Sequence, residues 1–264
     1  MQDGLEIVID GRGVARLTLR RAEKHNALSS DLIAALTAAA GRLGADPSVR
    51  AVVLTGAGES FCAGGDLGWM KAQMQADGAS RATEARKLAA MLRALNEMPK
   101  PLIGRVQGQA YGGGVGLIAV CDVAIGVETA RFALTETRLG LTPATIGPYV
   151  VARLGAARAR RVFMSGRRFD AAEAVGLGLL ARAVPDAALE AAVEAEIAPY
   201  LTCAPGAVAL AKAQVLSLGP RIDEAAIEAS IAQLVAAWET EEAAEGIAAF
   251  FARRKPAWSG PAEP

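Results

Sequence analysis

The sequence predicts an α/β fold, a core of mostly parallel strands with helices between them, followed by a helical C-terminal stretch. Three observations carry this. Apolar strand-like runs at 14–19, 51–55, 102–106 and 123–127 are separated by segments long enough to hold helices. Glycine-rich turns follow two of these runs, at Gly56-Ala57-Gly58 and at Gly112-Gly113-Gly114. After Pro148 the pattern becomes almost wholly helical, punctuated by Pro185, Pro205 and Pro220.

In chain order, Leu5 to Ile9 and Val14 to Leu19 alternate apolar and polar residues around Asp10-Gly11-Arg12-Gly13, a hairpin signature. A polar loop, Arg20 to Asn26, leads to Ala27-Leu28. Ser29 or Ser30 caps a helix that runs to about Leu43, with Leu32, Ile33, Leu36 and Ala40 on its apolar face. Ala51 to Thr55 reads as a buried strand from its unbroken apolar run. Phe61 to Met70 reads as a short strand, a glycine pair and a helix start, and the small polar residues 71–80 as a mobile segment. An amphipathic helix from about Ala82 to Glu97 ends at Pro99-Lys100-Pro101. The strand Leu102 to Val106 leads to the glycine triplet and an apolar helical run, Val115 to Val120. Val123 to Val127 and Arg131 to Ala133 are further strands, and the alanine-rich helices beyond Pro148 cap the core or form a subunit interface.

Composition narrows the function. Lys+Arg and Asp+Glu are both 28, so the chain lacks the basic field of a nucleic-acid binder. Met1 to Glu6 has no basic region followed by an apolar run, and the longest uncharged apolar segment, around Tyr111 to Cys121, is short of a membrane span. A soluble, cytoplasmic protein is expected. Cys62, Cys121 and Cys203 are odd in number and lack CxxC spacing, so they read as reduced core residues. One histidine argues against a His-based zinc site or a Ser-His-Asp triad, and no metal is expected. Any catalysis falls to carboxylates and backbone N–H groups.

A glycine triplet at a strand-to-helix junction brings its N–H groups close to a ligand, the raw material of an oxyanion hole; a tight packing turn is the plain alternative. The Gly64-Gly65 pair offers a second set of unhindered amides. Glu136 lies among apolar, glycine- and proline-rich neighbours; burial there would raise its pKa into the range useful for proton transfer, whereas a lone loop glutamate is ordinarily solvated. Asp66 is either a helix cap or part of a site. Asp122 reads as structural and His25 as a surface contact, while Arg20, Arg21 and Lys24 either face phosphates or are solvated.

Taken together, Arg20-Arg21-Ala22-Glu23-Lys24-His25-Asn26-Ala27-Leu28, Phe61-Cys62-Ala63-Gly64-Gly65-Asp66, Val106 to Gly114, Cys121-Asp122 and Phe132…Glu136…Leu139-Gly140 resemble, in order and spacing, the crotonase family of enoyl-CoA hydratases and isomerases. The resemblance spans about residues 5 to 258. It implies a spiral of ββα units with a helical C-terminal segment: residues 1–200 as the core carrying an acyl-CoA site, and 201–264 as an oligomerisation and CoA-capping segment. It further implies a homotrimer or a hexamer of paired trimers, and no cofactor beyond the coenzyme A of the substrate.

By motif position Gly65 and Gly113 are the oxyanion donors and Glu136 is the acid–base group. The resemblance further implies that Ala63, Asp66, Leu67, Gly112 and Gly116 bind the substrate. Lys24, His25 and Ala27 hold the CoA adenine and pantetheine, and Phe250 and Arg253 reach CoA from the C-terminus. Ala22 stands where a proline is usual, and Gly68 where some members carry a lysine.

The departure with most consequence is Gly116, where two-glutamate hydratases carry a second glutamate. Either Glu136 works alone or another group supplies the second proton function, and the missing side chain leaves room for a bulkier acyl group. Leu139 to Val151, with Gly116, resembles hydratases of branched glutaconyl-CoA thioesters, such as the 3-methylglutaconyl thioester of leucine degradation or an isohexenylglutaconyl one. The expected activity is hydration of the 2,3 double bond of an enoyl-CoA. Double-bond isomerisation, which needs one base, is the alternative, and a non-catalytic CoA- or RNA-binding role is the reading from another class.

Overall fold

The computed structural model describes residues 4–260; the ends of both expected segments, residues 1–3 (where the N-terminal leader reading begins) and 261–264, lie outside the described residues. β1 (Leu5–Ile9) and β2 (Val14–Leu19) form the expected antiparallel hairpin, with Leu5 opposite Leu19. α1 (Ser30–Ala45) begins where the Ser29 hydroxyl accepts a hydrogen bond from the Leu32 amide. β3 (Ala51–Gly56), buried throughout, runs parallel to β2 and turns into β4 (Ser60–Cys62), which is followed by α2 (Leu67–Gln75) and α3 (Gly78–Glu97).

The next passage repeats the plan. β5 (Leu102–Val106) pairs with β3, β6 (Gln109–Tyr111) pairs with β4, and α4 (Gly113–Ala119) follows. A third passage places β7 (Val123–Val127) beside β5 and β8 (Arg131–Ala133) beside β6, and continues into α5 (Gly147–Leu154) and α6 (Ala156–Phe163). Each turn of the chain thus lays one strand in a six-stranded sheet (β1-β2-β3-β5-β7-β10) and one in a four-stranded sheet (β4-β6-β8-β9) before returning through helix. This is the spiral of ββα units. β9 (Phe169–Asp170), α7 (Ala171–Leu177) and β10 (Arg182–Val184) finish both sheets, and α8 (Leu189–Thr202), α9 (Pro205–Leu218), α10 (Glu224–Trp238) and α11 (Glu241–Phe251) complete the chain.

Three expectations need correction. Residues 71–80 are mostly helical: Asp77 accepts a hydrogen bond from the Ser80 amide and starts α3 four residues before the sequence pattern suggests. β6 intervenes between the Leu102–Val106 strand and the glycine triplet. The region after Pro148 is not purely helical, because β9 and β10 close the sheets. These strands have two or three residues each, too few to show a period of two; they form because a sheet edge already offers backbone partners.

Asp122 is structural as expected. Its Oδ2 accepts from the Leu102 amide at 2.7 Å and pairs with Lys212 Nζ at 2.8 Å, tying β5 to α9. All three cysteines are free thiols, and Cys62 and Cys121 are buried as expected; Cys203 corrects the expectation of a core residue, being exposed where the chain leaves the end of α8. Among the described residues no single helix is long and apolar enough to cross a membrane.

Candidate active site

The site is built where the first, second and third ββα passages meet. The β4–α2 connection carries Gly64 and Gly65. Leu28 clamps it on one side, its N–H donating to Gly64 O at 2.7 Å and its carbonyl accepting from the Asp66 amide at 3.0 Å. The start of α4 packs against it on the other: a Cβ on Gly113 would stand 3.6 Å from Gly64 Cα. Gly65 and Gly113 line one cavity, and among the described residues nothing accepts a hydrogen bond from the N–H of either. Gly113 is the first residue of its helix, so its N–H has no partner within the helix.

Glu136 opens a short 3₁₀ turn after β8 and lines the same cavity, of about 460 Å³, a size typical of small-molecule sites. A Cβ on Gly112 would lie 2.9 Å from Glu136 Oε1, and the Gly112 backbone, at φ +47°, is one that only glycine takes readily. No hydrogen-bond partner among the described residues reaches Glu136 Oε2, which is shut off from solvent. Burial pushes the carboxyl pKa up to about 7, against a small opposing pull from the residue's own amide. α11 packs on the same 136–139 turn through Gly246; a side chain there would collide with the Leu139 carbonyl carbon at 2.5 Å.

Glu136, Gly65, Gly113, Gly112, Ala63, Leu67 and Phe250 therefore line one cavity, as the motifs imply. Six other expected residues do not. Asp66 is fully engaged elsewhere: Oδ1 accepts from the amides of Gly68 and Trp69, capping α2, and Oδ2 pairs with Arg21 at 2.8 Å. Burial pushes its carboxyl up, but Arg21 and the two amides outweigh that and hold it below the usual aspartate range.

Lys24, His25 and Ala27 lie on a loop packed against β4, off the cavity wall. His25 Nδ1 is 3.0 Å from Ser60 Oγ, and the Ala27 carbonyl accepts from Arg21. The fully buried Asn26 between them, donating to the carbonyls of Ala57 and Ser60, locks that loop in place. Arg253 is exposed beyond α11 and does not line the cavity.

Gly116 overturns the expectation of extra room. It is buried on α4, and a Cβ there would meet Ile146 Cγ2 at 2.5 Å, so Ile146 fills the space a side chain at 116 would need. Among the described residues Glu136 is the one carboxylate on the cavity wall.

Several lining residues escape sequence reasoning. Leu234 and Trp238 of α10 reach the cavity from one helix face, but their four-residue spacing looks like any core stripe. Tyr111, Arg138, Thr145 and Arg168 also line it. Tyr111 and Thr145 lie inside runs that the sequence singles out, Arg138 stands two residues after Glu136, and Arg168 carries no local signal.

Residues 10–261 match the family described as enoyl-CoA hydratase/isomerase. A short-chain-enoyl-CoA hydratase of Clostridium acetobutylicum is 32% identical over 253 residues, 94% of this chain and 95% of the relative. Among solved structures, an enoyl-CoA hydratase from Mycobacterium avium superposes with a TM-score of 0.84 at 32% identity, covering 98% of this chain and 100% of the other. Pseudomonas aeruginosa AtuE superposes with a TM-score of 0.80 at 38% identity, covering 97% and 99%.

Proposed function

The chain belongs to the enoyl-CoA hydratase/isomerase family, and from that premise we propose that it adds water across the 2,3 double bond of an enoyl-CoA thioester with Glu136 as its single acid–base group. The observation that carries this is a buried, unpartnered carboxylate beside two unengaged amides. The thioester oxygen sits between the N–H groups of Gly65 and Gly113. Glu136 takes a proton from water as the water oxygen bonds to C3, the electron pair of the double bond moves toward the thioester, and the two amides hold the resulting enolate oxygen. The protonated Glu136 then delivers its proton to C2, restoring the carboxylate. A pKa near 7 keeps both forms accessible at neutral pH, as a group that first accepts and then donates requires.

Ile146 in the place of a second carboxylate also favours the isomerase reading, in which one base moves a proton between carbons. Incubation with a 2-enoyl-CoA separates the two. Hydration removes the ultraviolet absorbance of the conjugated thioester, whereas an isomerase leaves it intact and creates it from a 3-enoyl-CoA.

On substrate, the reading extends to branched glutaconyl-CoA thioesters. The segment behind that resemblance supplies Leu141, Thr142, Pro143, Ala144, Thr145 and Ile146 to the cavity wall. On assembly, it extends to a homotrimer or paired trimers built through residues 201–264. α9 buries none of its residues and exposes Leu210 (74%), Val215 (70%) and Leu218 (80%), apolar surface that a second copy would cover. Sedimentation velocity on the intact protein tests that assembly.

A further inference from the structure

We propose that the Thr145 hydroxyl holds the attacking water together with Glu136, orienting it as a second carboxylate would otherwise do. This deepens the hydratase reading and rests on it.

Two anchors bring Thr145 to the Glu136 wall of the cavity. The Leu141 amide donates to the carbonyl of Glu136 itself at 3.0 Å, so the 141–146 segment leaves directly from the Glu136 turn. At its far end Ile146 packs on Gly116 of α4. The Gly116 amide donates to the Gly112 carbonyl at 3.1 Å, and the Glu136 carboxylate rests against Gly112. Glu136 and Ile146 therefore meet the same stretch of chain one helical turn apart, roughly 6 Å along the axis. Thr145 lies between the two anchors and lines the cavity with Glu136.

The Thr145 side chain is engaged nowhere else. The residue is 5% exposed, and it precedes α5 without capping it. Among the described residues its hydroxyl has no hydrogen-bond partner, yet unlike Glu136 Oε2 it is not shut off from the accessible surface. On a buried residue of the cavity wall that remaining surface belongs to the cavity. The other hydroxyls there differ: Tyr111 donates to Gln109 at 2.9 Å, and Thr135 and Thr142 are only half-buried.

Buried polar groups are ordinarily paired, so an unpartnered hydroxyl and an unpartnered carboxylate oxygen on one wall call for a ligand that bonds both. Water does so. It donates one hydrogen to Glu136 Oε2 and the other to Thr145 Oγ1, which leaves a lone pair of the water oxygen for C3. As the bond to C3 forms, the hydrogen shared with Glu136 passes to the carboxylate and then to C2. The hydrogen on the Thr145 side stays on the product hydroxyl, and Thr145 keeps its own proton throughout. Water held by one acceptor turns about that bond, whereas water held by two has its lone pair aimed. A double-bond shift uses no water and needs no such group.

The test measures kcat and KM for hydration of 2-hexenoyl-CoA and 3-methylglutaconyl-CoA in the wild type, T145V and T145S, on whichever thioester the wild type hydrates faster. Melting temperature and affinity for the saturated analogue of that thioester are measured beside them. T145V keeps the branched shape and removes the hydroxyl, so kcat should fall roughly tenfold, with KM and the saturated analogue's affinity within about twofold of wild type. Its melting temperature should not fall, and T145S should recover most of the lost kcat. An unchanged kcat in T145V overturns the proposal. So does an equal loss of affinity for the saturated analogue, a lowered melting temperature, or a T145S variant as impaired as T145V; each would make Thr145 a structural part of the wall. Those results leave wild-type hydration standing, whereas a wild type that hydrates neither thioester overturns the hydratase reading as well. If T145V does not fold, T145A is read in the same way.

Discussion

Replacing Glu136 by glutamine separates catalysis from stability and makes each pH-dependent in a known direction. The folded carboxyl has a pKa near 7 against an ordinary value of 4.5. Between those two values the native state keeps a proton that the unfolded chain releases, so wild-type stability falls as pH rises. The slope is about 1.4 kcal/mol per pH unit, and the fall amounts to roughly 3 kcal/mol by the time the folded group has ionised. The glutamine variant has no such dependence. It does bring a buried amide with one unmatched group, a cost on the order of 1–3 kcal/mol that does not vary with pH. The stability of Glu136→Gln relative to wild type should therefore climb by roughly 3 kcal/mol between pH 4.5 and pH 8, about 6–10 °C in melting temperature for a chain of this size. Urea midpoints and melting temperatures at several pH values, at one protein concentration, measure this. Hydration should drop by about 10²–10⁴-fold in the same variant while acyl-CoA still binds. A stability difference that stays flat across the pH range would refute the burial argument, and a variant that retains turnover would refute the assignment of the base.

For the wild type, kcat/KM should rise with pH and level off above about 7, since water activation needs the ionised carboxylate; a plateau already complete at pH 5 would contradict the elevated pKa. Gly116→Ala should destabilise the fold by about 1–3 kcal/mol through collision with Ile146, and melting curves of wild type and variant decide it; an unchanged melting temperature would show that Ile146 does not fill this space. Gly113→Pro removes one oxyanion donor at a helix position that needs no N–H, so kcat should fall by about 10²–10³ with less loss of folding than an interior proline causes; near-normal turnover would exclude this amide from the reaction. Asp66→Ala should cost about 2 kcal/mol by removing the α2 cap and leaving Arg21 unpaired. The stabilisation at issue is complete above the ordinary aspartate value of 3.8 and is lost on acidification below it, so the melting difference should vanish in acid.

Local sequence was enough where each residue's neighbours in the chain decide its state. The Asp10–Gly13 hairpin, the Ser29 cap, the fully buried strand at Ala51 and the pair of strands at 123–127 and 131–133 were all legible from turn chemistry and apolar patterning. The glycine pair, the glycine triplet and Glu136 were legible as candidates through motif spacing. Asp66 was readable both as a cap and as a site residue, and its two oxygens resolve to a cap and an ion pair.

Whatever depends on groups distant in the chain had to wait for the folded molecule. The elevated pKa of Glu136 comes from burial, in a turn against which α11, more than a hundred residues away, packs closely through Gly246. The meaning of Gly116 reversed for the same reason: an absent side chain reads as space until Ile146, from another element, is seen to fill it. Strands, turns, caps and the residue types available for chemistry are written along the chain, because backbone propensity and periodicity act over a few residues. Solvent exclusion and the filling of volume are properties of packed surfaces, and folding alone brings those surfaces together.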